Sequence, residues 1–233
     1  MKVNTETFNK ALISIMRNPN QVITLDANFL IPPDRSSICN ISIKFDQFRN
    51  GWLEPIFQEF SGLVIHEAVY RELLISDIKN YVDALTNMYL PKIKILKESD
   101  LTLTEKALNQ TLINKISPHT KYDPVINNRE DRGEVRSLAY ISVKGIIYFA
   151  TSDNNVINLV NKIDKTKTYL DNVEIIKMYE VLYYLKSTDK YDNNKLKMLY
   201  KYQYYLTEYE KRINSEWGDF ILKMDALYKN KEV

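Results

Sequence analysis

Residues 22–30 read VITLDANFL, and how this stretch is interpreted decides the fold. Val22, Ile23, Thr24 and Leu25 form a short apolar, β-branched run of the kind that suits a strand buried on both faces. Asp26 closes the run, followed by Ala27, Asn28 and the apolar pair Phe29 and Leu30. A carboxylate at the end of a buried strand is costly unless something compensates it. Asp26 therefore has two readings, a helix N-cap or a metal-ligand carboxylate. Whether other strand-like runs also end in carboxylates bears on the choice.

Working outward, the N-terminal side predicts a helix from Glu6 to Arg17, capped by Asn4 or Thr5, with Phe8, Leu12, Ile15 and Met16 on one face. The IPPDRSS segment after Leu30 is a loop, because paired prolines cannot sit inside a helix. A helix is expected from Lys44 to Phe60, then a strand over Leu63 to Ile65 after the break at Gly62. Glu67 to Ile78 read as a helix with Val69, Leu73 and Leu74 inward. KIKIL, after Pro91, alternates like a strand near a sheet edge. Thr104 caps an expected helix to Ile116, and Ser117 to Glu130 form a loop. DRGEVRSLAYISVKG then reads as a helix closed by Gly145. Ile146 to Ala150 predict a further buried strand, Asn155 to Lys162 a helix, and VEIIKM a last strand beyond a lysine-rich turn. From Glu180 onward only helical periodicity remains. Strands alternating with helices predict a three-layer α/β fold, with a mostly parallel central sheet flanked by helices and a helical C-terminal extension.

Bulk properties narrow the function. The chain of 233 residues is long enough for a full core, and its net charge of +2 gives no global attraction to nucleic acid or membrane. Cys39 is the only cysteine, so no intrachain disulfide can form, and a reducing cytoplasm is the expected setting. No apolar run reaches membrane-spanning length, and the N-terminus lacks a signal-peptide layout. His66 and His119 are the only histidines, which disfavours histidine-rich zinc chemistry and leaves hard ions on carboxylates as the expected metals.

Those carboxylates recur where the pattern places strand ends and helix starts. Asp153 follows the fourth strand much as Asp26 follows the first. Glu72 lies on the helix after the second strand, and Asp131 and Glu134 open the helix before the fourth. In a right-handed parallel sheet such positions converge on one rim. Carboxylates crowded there repel one another, and Mg²⁺ or Mn²⁺ would relieve the repulsion. Each acid also has an ordinary reading. Glu72 pairs equally well with Arg71 or Lys79 on a helix surface, and Glu67 suits the helix dipole. His66 reads as a packed core histidine, and Asn28 as a turn former or a partner of Asp26.

The ordered set LDANFLI, IHEAVYREL, DRGEVRSLAY and ATSDNN, spanning Val22 to Leu185, resembles the PIN-domain nucleases. The resemblance implies a compact α/β fold that cuts RNA with Mg²⁺ or Mn²⁺ held by acids, and many such proteins are toxins of bacterial toxin–antitoxin pairs. Carried over by position, Asp26, Glu72, Glu134 and Asp153 are the four acids, with Asp131 a neighbour able to share the role of Glu134. Thr151 matches the small hydroxyl residue two positions before the fourth acid. His66 stands where many relatives have proline, and a single Asp153 between Ser152 and Asn154 stands where some carry two, which implies a weaker fourth ligand. On this reading residues 1–185 form the PIN-like domain with its N-terminal helix, and 186–233 the helical extension.

The resemblance implies an RNA substrate and leaves room for an inhibitory or complex-forming protein partner and for a homo-oligomer; it calls for no membrane. Two other classes compete. One is a non-catalytic PIN-like module that binds RNA or a partner. The other is a phosphatase-like enzyme with Asp26 as covalent nucleophile, which lacks a second aspartate where Asn28 stands. Lysines interleaved with tyrosines between Tyr183 and Tyr205 read either as a single-strand stacking platform or, preferably, as an amphipathic helix docking its tyrosines inward.

Overall fold

The protein is described by a computed structural model covering residues 1–39, 42–161 and 170–229. The lysine-rich turn and Lys162 lie outside these residues. The described residues divide into two compact units.

The unit made of Val22–Ile31 and Ser61–Ile176 holds the whole sheet. Its strands are β1 (Ile23–Leu25), β2 (Leu63–His66), β3 (Lys94–Leu96), β4 (Tyr148–Ala150) and β5 (Glu174–Ile176), in the order β3-β2-β1-β4-β5 and all parallel. The fold is thus α/β, a parallel sheet flanked by helices with a helical C-terminal part, as the sequence predicts. β1, β2 and β4 are buried along their length, while β3 and β5 each open with an exposed residue at the sheet edges. Lys94 is the exposed one in β3, which accounts for the lysine alternation of KIKIL.

The strand order fixes where chemistry can sit. From β1 the chain steps outward to β2 and β3, then returns to the other side of β1 as β4 and β5. Between β1 and β4 the direction of winding therefore reverses, and the carboxyl ends at such a switch point are where open α/β sheets bind ligands. Asp26 follows β1 there, and Thr151 follows β4. Backbone pairing continues up to the site: Asp26 N donates to Ala150 O and Thr151 N to Ile176 O, both at 3.0 Å.

Several expected boundaries move. The first helix is Lys10–Arg17, capped by Asn9 through its side chain rather than by Asn4 or Thr5, and Phe8 stays 39% exposed ahead of it. The Lys44–Phe60 stretch is Phe45–Phe48, a π-helical Arg49–Leu53 and Glu54–Glu59. Thr102, not Thr104, caps Leu103–Ile116, in a capping box with Glu105. Within 117–130 there is one short 3₁₀ turn, Ser117–His119. The Tyr148–Ala150 and Glu174–Ile176 strands and the Asn154–Asn161 helix are each close to their expected places.

The Glu67–Ile78 helix is interrupted. It ends at Glu72, and a second helix, Ser76–Thr86, begins afterwards. Leu73 at φ −72°, ψ 75° is the centre of an inverse γ-turn, in which Leu74 N donates to Glu72 O at 2.8 Å. Leu73 is buried, but the turn throws Leu74 outward, where it is 79% exposed instead of facing inward.

The other unit, Met1–Gln21, Pro32–Phe60 and Lys177–Val233, is helical. Tyr200 stacks on Phe220 at 4.5 Å between centroids and sits 5.3 Å from Trp217. Tyr179, Tyr183, Tyr200, Tyr202, Tyr204 and Tyr228 are all buried, with Leu206 half-buried. These tyrosines form core, as the amphipathic reading requires, while Tyr209 is 69% exposed.

Candidate active site

Asp26 sits at the junction of β1 and the short Ala27–Leu30 helix and is 1% exposed. Its Oδ1 accepts from Ala27 N at 2.7 Å, so it does cap. Its Oδ2 accepts from the Thr151 hydroxyl at 2.6 Å and from the Asn28 side-chain amide. Asn28 also donates to Thr151 Oγ1 at 3.1 Å and accepts from Ser152 N at 2.9 Å. Thr151 Oγ1 in turn accepts from Asp153 N at 3.0 Å. Asn28, one of whose readings is a partner of Asp26, and Thr151 are both its direct hydrogen-bond partners and tie the end of β1 to the loop after β4.

Glu72 is the last residue of its helix. Arg71 pairs with Glu67 and the Lys79 ammonium lies 4.6 Å from the Tyr70 ring centre, so neither gives Glu72 the surface pair that it could have formed. Instead Glu72 Oε1 accepts from Gly133 N at 3.0 Å, in the first turn of the Arg132–Lys144 helix. Glu67 is taken up by Arg71 and by Glu98 N, at 2.9 Å for the latter.

Asp131 and Glu134 separate in role. Asp131 holds the left-handed conformation at φ 52°, ψ 14°, and its Oδ2 accepts from Lys121 N at 2.8 Å, clasping the preceding loop. Glu134 lies in the first turn of the Arg132–Lys144 helix. Asp153 Oδ1 accepts from Asn155 N at 2.6 Å where the Asn154–Asn161 helix begins.

Electrostatics shows the acids as one group. Burial, opposed by the Thr151 and Ala27 hydrogen bonds and aided by Glu72 and Asp153, pushes Asp26 up to about 6. Burial and then the neighbouring Glu134 push Glu72 up to about 7, against the Gly133 N–H and Arg132. Burial and then Asp26 push Glu134 up to about 7, with Asp131 and Asp153 adding to it. Burial first, and then the neighbours' negative charge, disfavours ionisation of Asp26, Glu72 and Glu134, which is the situation a divalent cation would relieve.

Asp131, Glu134 and Asp153 line a cleft of about 560 Å³ together with His119, Lys121, Asn155 and Asn158. Asp26 does not line it but lies buried beside it, and Glu72 is likewise outside its lining. A carboxylate so enclosed is poorly placed as a covalent nucleophile. The all-oxygen donor set fits Mg²⁺ or Mn²⁺. Among the described residues, no three Asp, Glu, His or Cys side chains are yet gathered to hold one ion.

His66 is fully buried and caps the Glu67–Glu72 helix, its Nδ1 accepting from Ala68 N at 3.2 Å. Burial, with Arg136 and Arg71 nearby, lowers its pKa to about 3, so the ring is neutral. The 3.8 Å approach of its Nε2 to Glu98 Oε1 is therefore no ion pair. Sequence reasoning passed over Gly133, His119, Lys121, Asn155 and Asn158. A glycine in a first helical turn beside two acids was a usable signal for the first; nothing local marked the others.

No family model matches this chain, and neither a curated protein nor a solved structure matches it. No helix among the described residues is long and apolar enough to cross a membrane.

Proposed function

We propose that the chain is a PIN-like, metal-dependent endoribonuclease that hydrolyses RNA phosphodiester bonds, acting in the cytoplasm as a toxin or defence effector. The observation that carries this reading is the mutual electrostatic strain of Asp26, Glu72 and Glu134 beside a cleft lined by Asp131, Glu134 and Asp153. Asp26, Glu72, Glu134 and Asp153 would hold Mg²⁺ or Mn²⁺. Such an ion, when bound, supplies a nucleophilic hydroxide near neutral pH and charge neutralisation at the phosphate oxygens. The chain's own part is orientation. Thr151 and Asn28 fix the Asp26 carboxylate, Gly133 N fixes Glu72, and Asp131 anchors the loop that borders the cleft. An inhibitory protein partner, or a second copy of the chain, would fit this role.

The test is incubation of unstructured RNA with Mn²⁺, comparing wild type with Glu134→Gln and Asp26→Asn. Cleavage by wild type and its loss in both variants is the expected result. Cleavage that survives Glu134→Gln, or needs no metal, would end the proposal. The burial and full hydrogen bonding of Asp26 favour a second reading, a PIN-like module that binds RNA or a partner without cutting. Under it, Mn²⁺ titration detects no site that depends on these carboxylates.

A further inference from the structure

Beyond the acids, the carboxyl rim of the sheet carries a second polar network whose far end is a wall of the cleft. That wall is the segment 118–121, which lines the cleft together with Asp131 and Glu134. Among residues 121–130, all described, Tyr122 is the one that is buried, at 3% exposure. Its hydroxyl donates to Asn127 Oδ1 at 2.9 Å and accepts from Arg136 Nε at 3.2 Å. Arg136 Nη1 donates in turn to both Glu98 oxygens, at 2.7 and 2.9 Å. Glu98 N donates to Glu67 Oε1 at 2.9 Å, so the network is rooted just past the ends of β3 and β2.

The segment after this wall is closed on itself by short bonds. Asp123 N donates to Asn128 Oδ1 at 2.7 Å, Val125 N to Asp123 Oδ1 at 2.8 Å and Asn127 N to Asp123 O at 2.8 Å. Asn127 takes the left-handed conformation, φ 51°, which asparagine tolerates. A loop built this way keeps its own shape, and what it needs is an attachment that fixes where that shape stands. The Asp131 clasp at Lys121 N is one, and the Tyr122–Arg136 bond is another. Arginine suits the second because its nitrogens donate in fixed directions, so that one holds Glu98 while another holds Tyr122; an ammonium is a single point charge. The Arg136 and Glu98 side chains are 25% and 27% exposed, sheltered enough for a charge-assisted bond to outweigh an open surface pair.

We propose that Arg136 is a positioning residue of this cleft: through Tyr122 it fixes the wall of residues 118–121 against the rim that carries Glu98, and so sets how closely an RNA strand is held beside the acids. This rests on the ribonuclease reading and adds to it a residue that touches neither metal nor substrate. Arg136 stands two residues after Glu134 on the Arg132–Lys144 helix, so one stretch of helix carries both an acid of the cleft and the anchor of its wall. Loss of the anchor loosens the wall and leaves the acids where they are. Substrate binding should suffer, and the chemical step should not.

The experiment compares wild type with Tyr122→Phe, which keeps the buried ring and deletes the hydroxyl, and with Arg136→Lys, which keeps a charge for Glu98 and loses the second donor. Residue-resolved amide hydrogen exchange in EDTA reads the wall apart from any cleavage, with Lys121, Asp123, Val125 and Asn127 as reporters. In both variants these amides should exchange at least about tenfold faster, while those of β1, β4 and the Arg132–Lys144 helix stay within about twofold of wild type. Unchanged reporters, or exchange raised equally throughout, would overturn the proposal, the second by showing a merely structural role. Mn²⁺-dependent cleavage of unstructured RNA is scored separately. Both variants should raise KM by about tenfold with kcat and Mn²⁺ affinity within about twofold of wild type. A wild type that does not cleave would end the ribonuclease reading, and faster reporters would still show Arg136 fixing the wall. Cleavage by wild type with KM unmoved in variants whose reporters exchange faster would do the reverse, overturning the role of Arg136 and leaving the ribonuclease.

Discussion

The backbone N–H of Gly133 donates to Glu72 Oε1 at 3.0 Å, joining the end of one helix to the start of another. A Cβ at position 133 would stand 2.6 Å from that oxygen and 2.8 Å from Oε2. The obstructing atoms are the tip of a flexible side chain, so in Gly133→Ala the glutamate moves aside. Alanine is about 1 kcal/mol better than glycine in a helix, which offsets the lost bond. The variant is expected to melt within a few degrees of wild type while its Mn²⁺ affinity and RNA cleavage fall by about tenfold, the usual order for losing a group that orients a ligand. Unaltered metal response would remove Glu72 from the site.

Asp26, Glu72 and Glu134 titrate upward on folding, from 3.8 and 4.5 to about 6 and 7. Between about pH 4 and pH 7 the metal-free folded state therefore holds protons that the unfolded chain has lost. Their contribution to stability falls as pH rises through that window. His66 acts oppositely: its pKa drops from 6.5 to about 3, so its share is complete above 6.5 and is lost as pH falls below it. Asp26→Asn removes one charge but forfeits an acceptor among Ala27, Thr151 and Asn28, worth about 1–3 kcal/mol. The variant should thus be the less stable protein near pH 5 and gain on wild type toward pH 8, as chemical denaturation in EDTA would show. A gap constant with pH would mean that Asp26 carries no raised pKa.

Metal should reverse the acid trend. Only the folded chain assembles the carboxylates, so Mn²⁺ at about 100 times its dissociation constant raises wild-type stability by about 2.7 kcal/mol. That gain should fade below pH 6, where protons compete for Glu72, Glu134 and Asp26. Glu134→Gln should respond much less in a melting experiment at pH 7.5, and EDTA should return wild type to its starting point. Equal shifts in the two proteins would place the metal elsewhere.

Thr24 offers a test of the sheet alone. It lies in β1, paired with Val64 and Phe149, fully buried, with no partner for its hydroxyl among the described residues. An unsatisfied buried hydroxyl costs about 1–3 kcal/mol. Thr24→Val keeps the shape and should raise stability by about 1 kcal/mol without changing the metal response; destabilisation would show that the hydroxyl has a partner in solution.

What the sequence disclosed follows the range of the forces involved. Ile23-Thr24-Leu25 and Tyr148-Phe149-Ala150 are legible as strands because their neighbours alone specify burial. Asp26 and Asp153 are legible because each closes such a run. The break after Glu72 is not, since Leu73 and Leu74 continue a helical apolar pattern that one γ-turn at Leu73 cancels. The cap at Asn9 was hidden behind the equally good capping residues Asn4 and Thr5. The strand order is also illegible, because β1 and β2 are separated by a segment belonging to the other unit. For the same reason no local pattern tied Lys121 to Asn155 or Glu72 to Gly133; those pairs exist only after the sheet has closed.

The division of the chain also sets an order of assembly during synthesis. β1 is made early, yet its partner β4 and the far edge β5 emerge only by Ile176, and the helical unit still lacks its last segment, Lys177–Val233, at that moment. On the ribosome the sheet can therefore close, and the acids can be brought together, before the tyrosine-rich core has the residues to form. If this protein harms the cell that makes it, the earliest hazard is a nascent chain whose sheet is complete while its synthesis continues, and any restraint on it would have to act that soon.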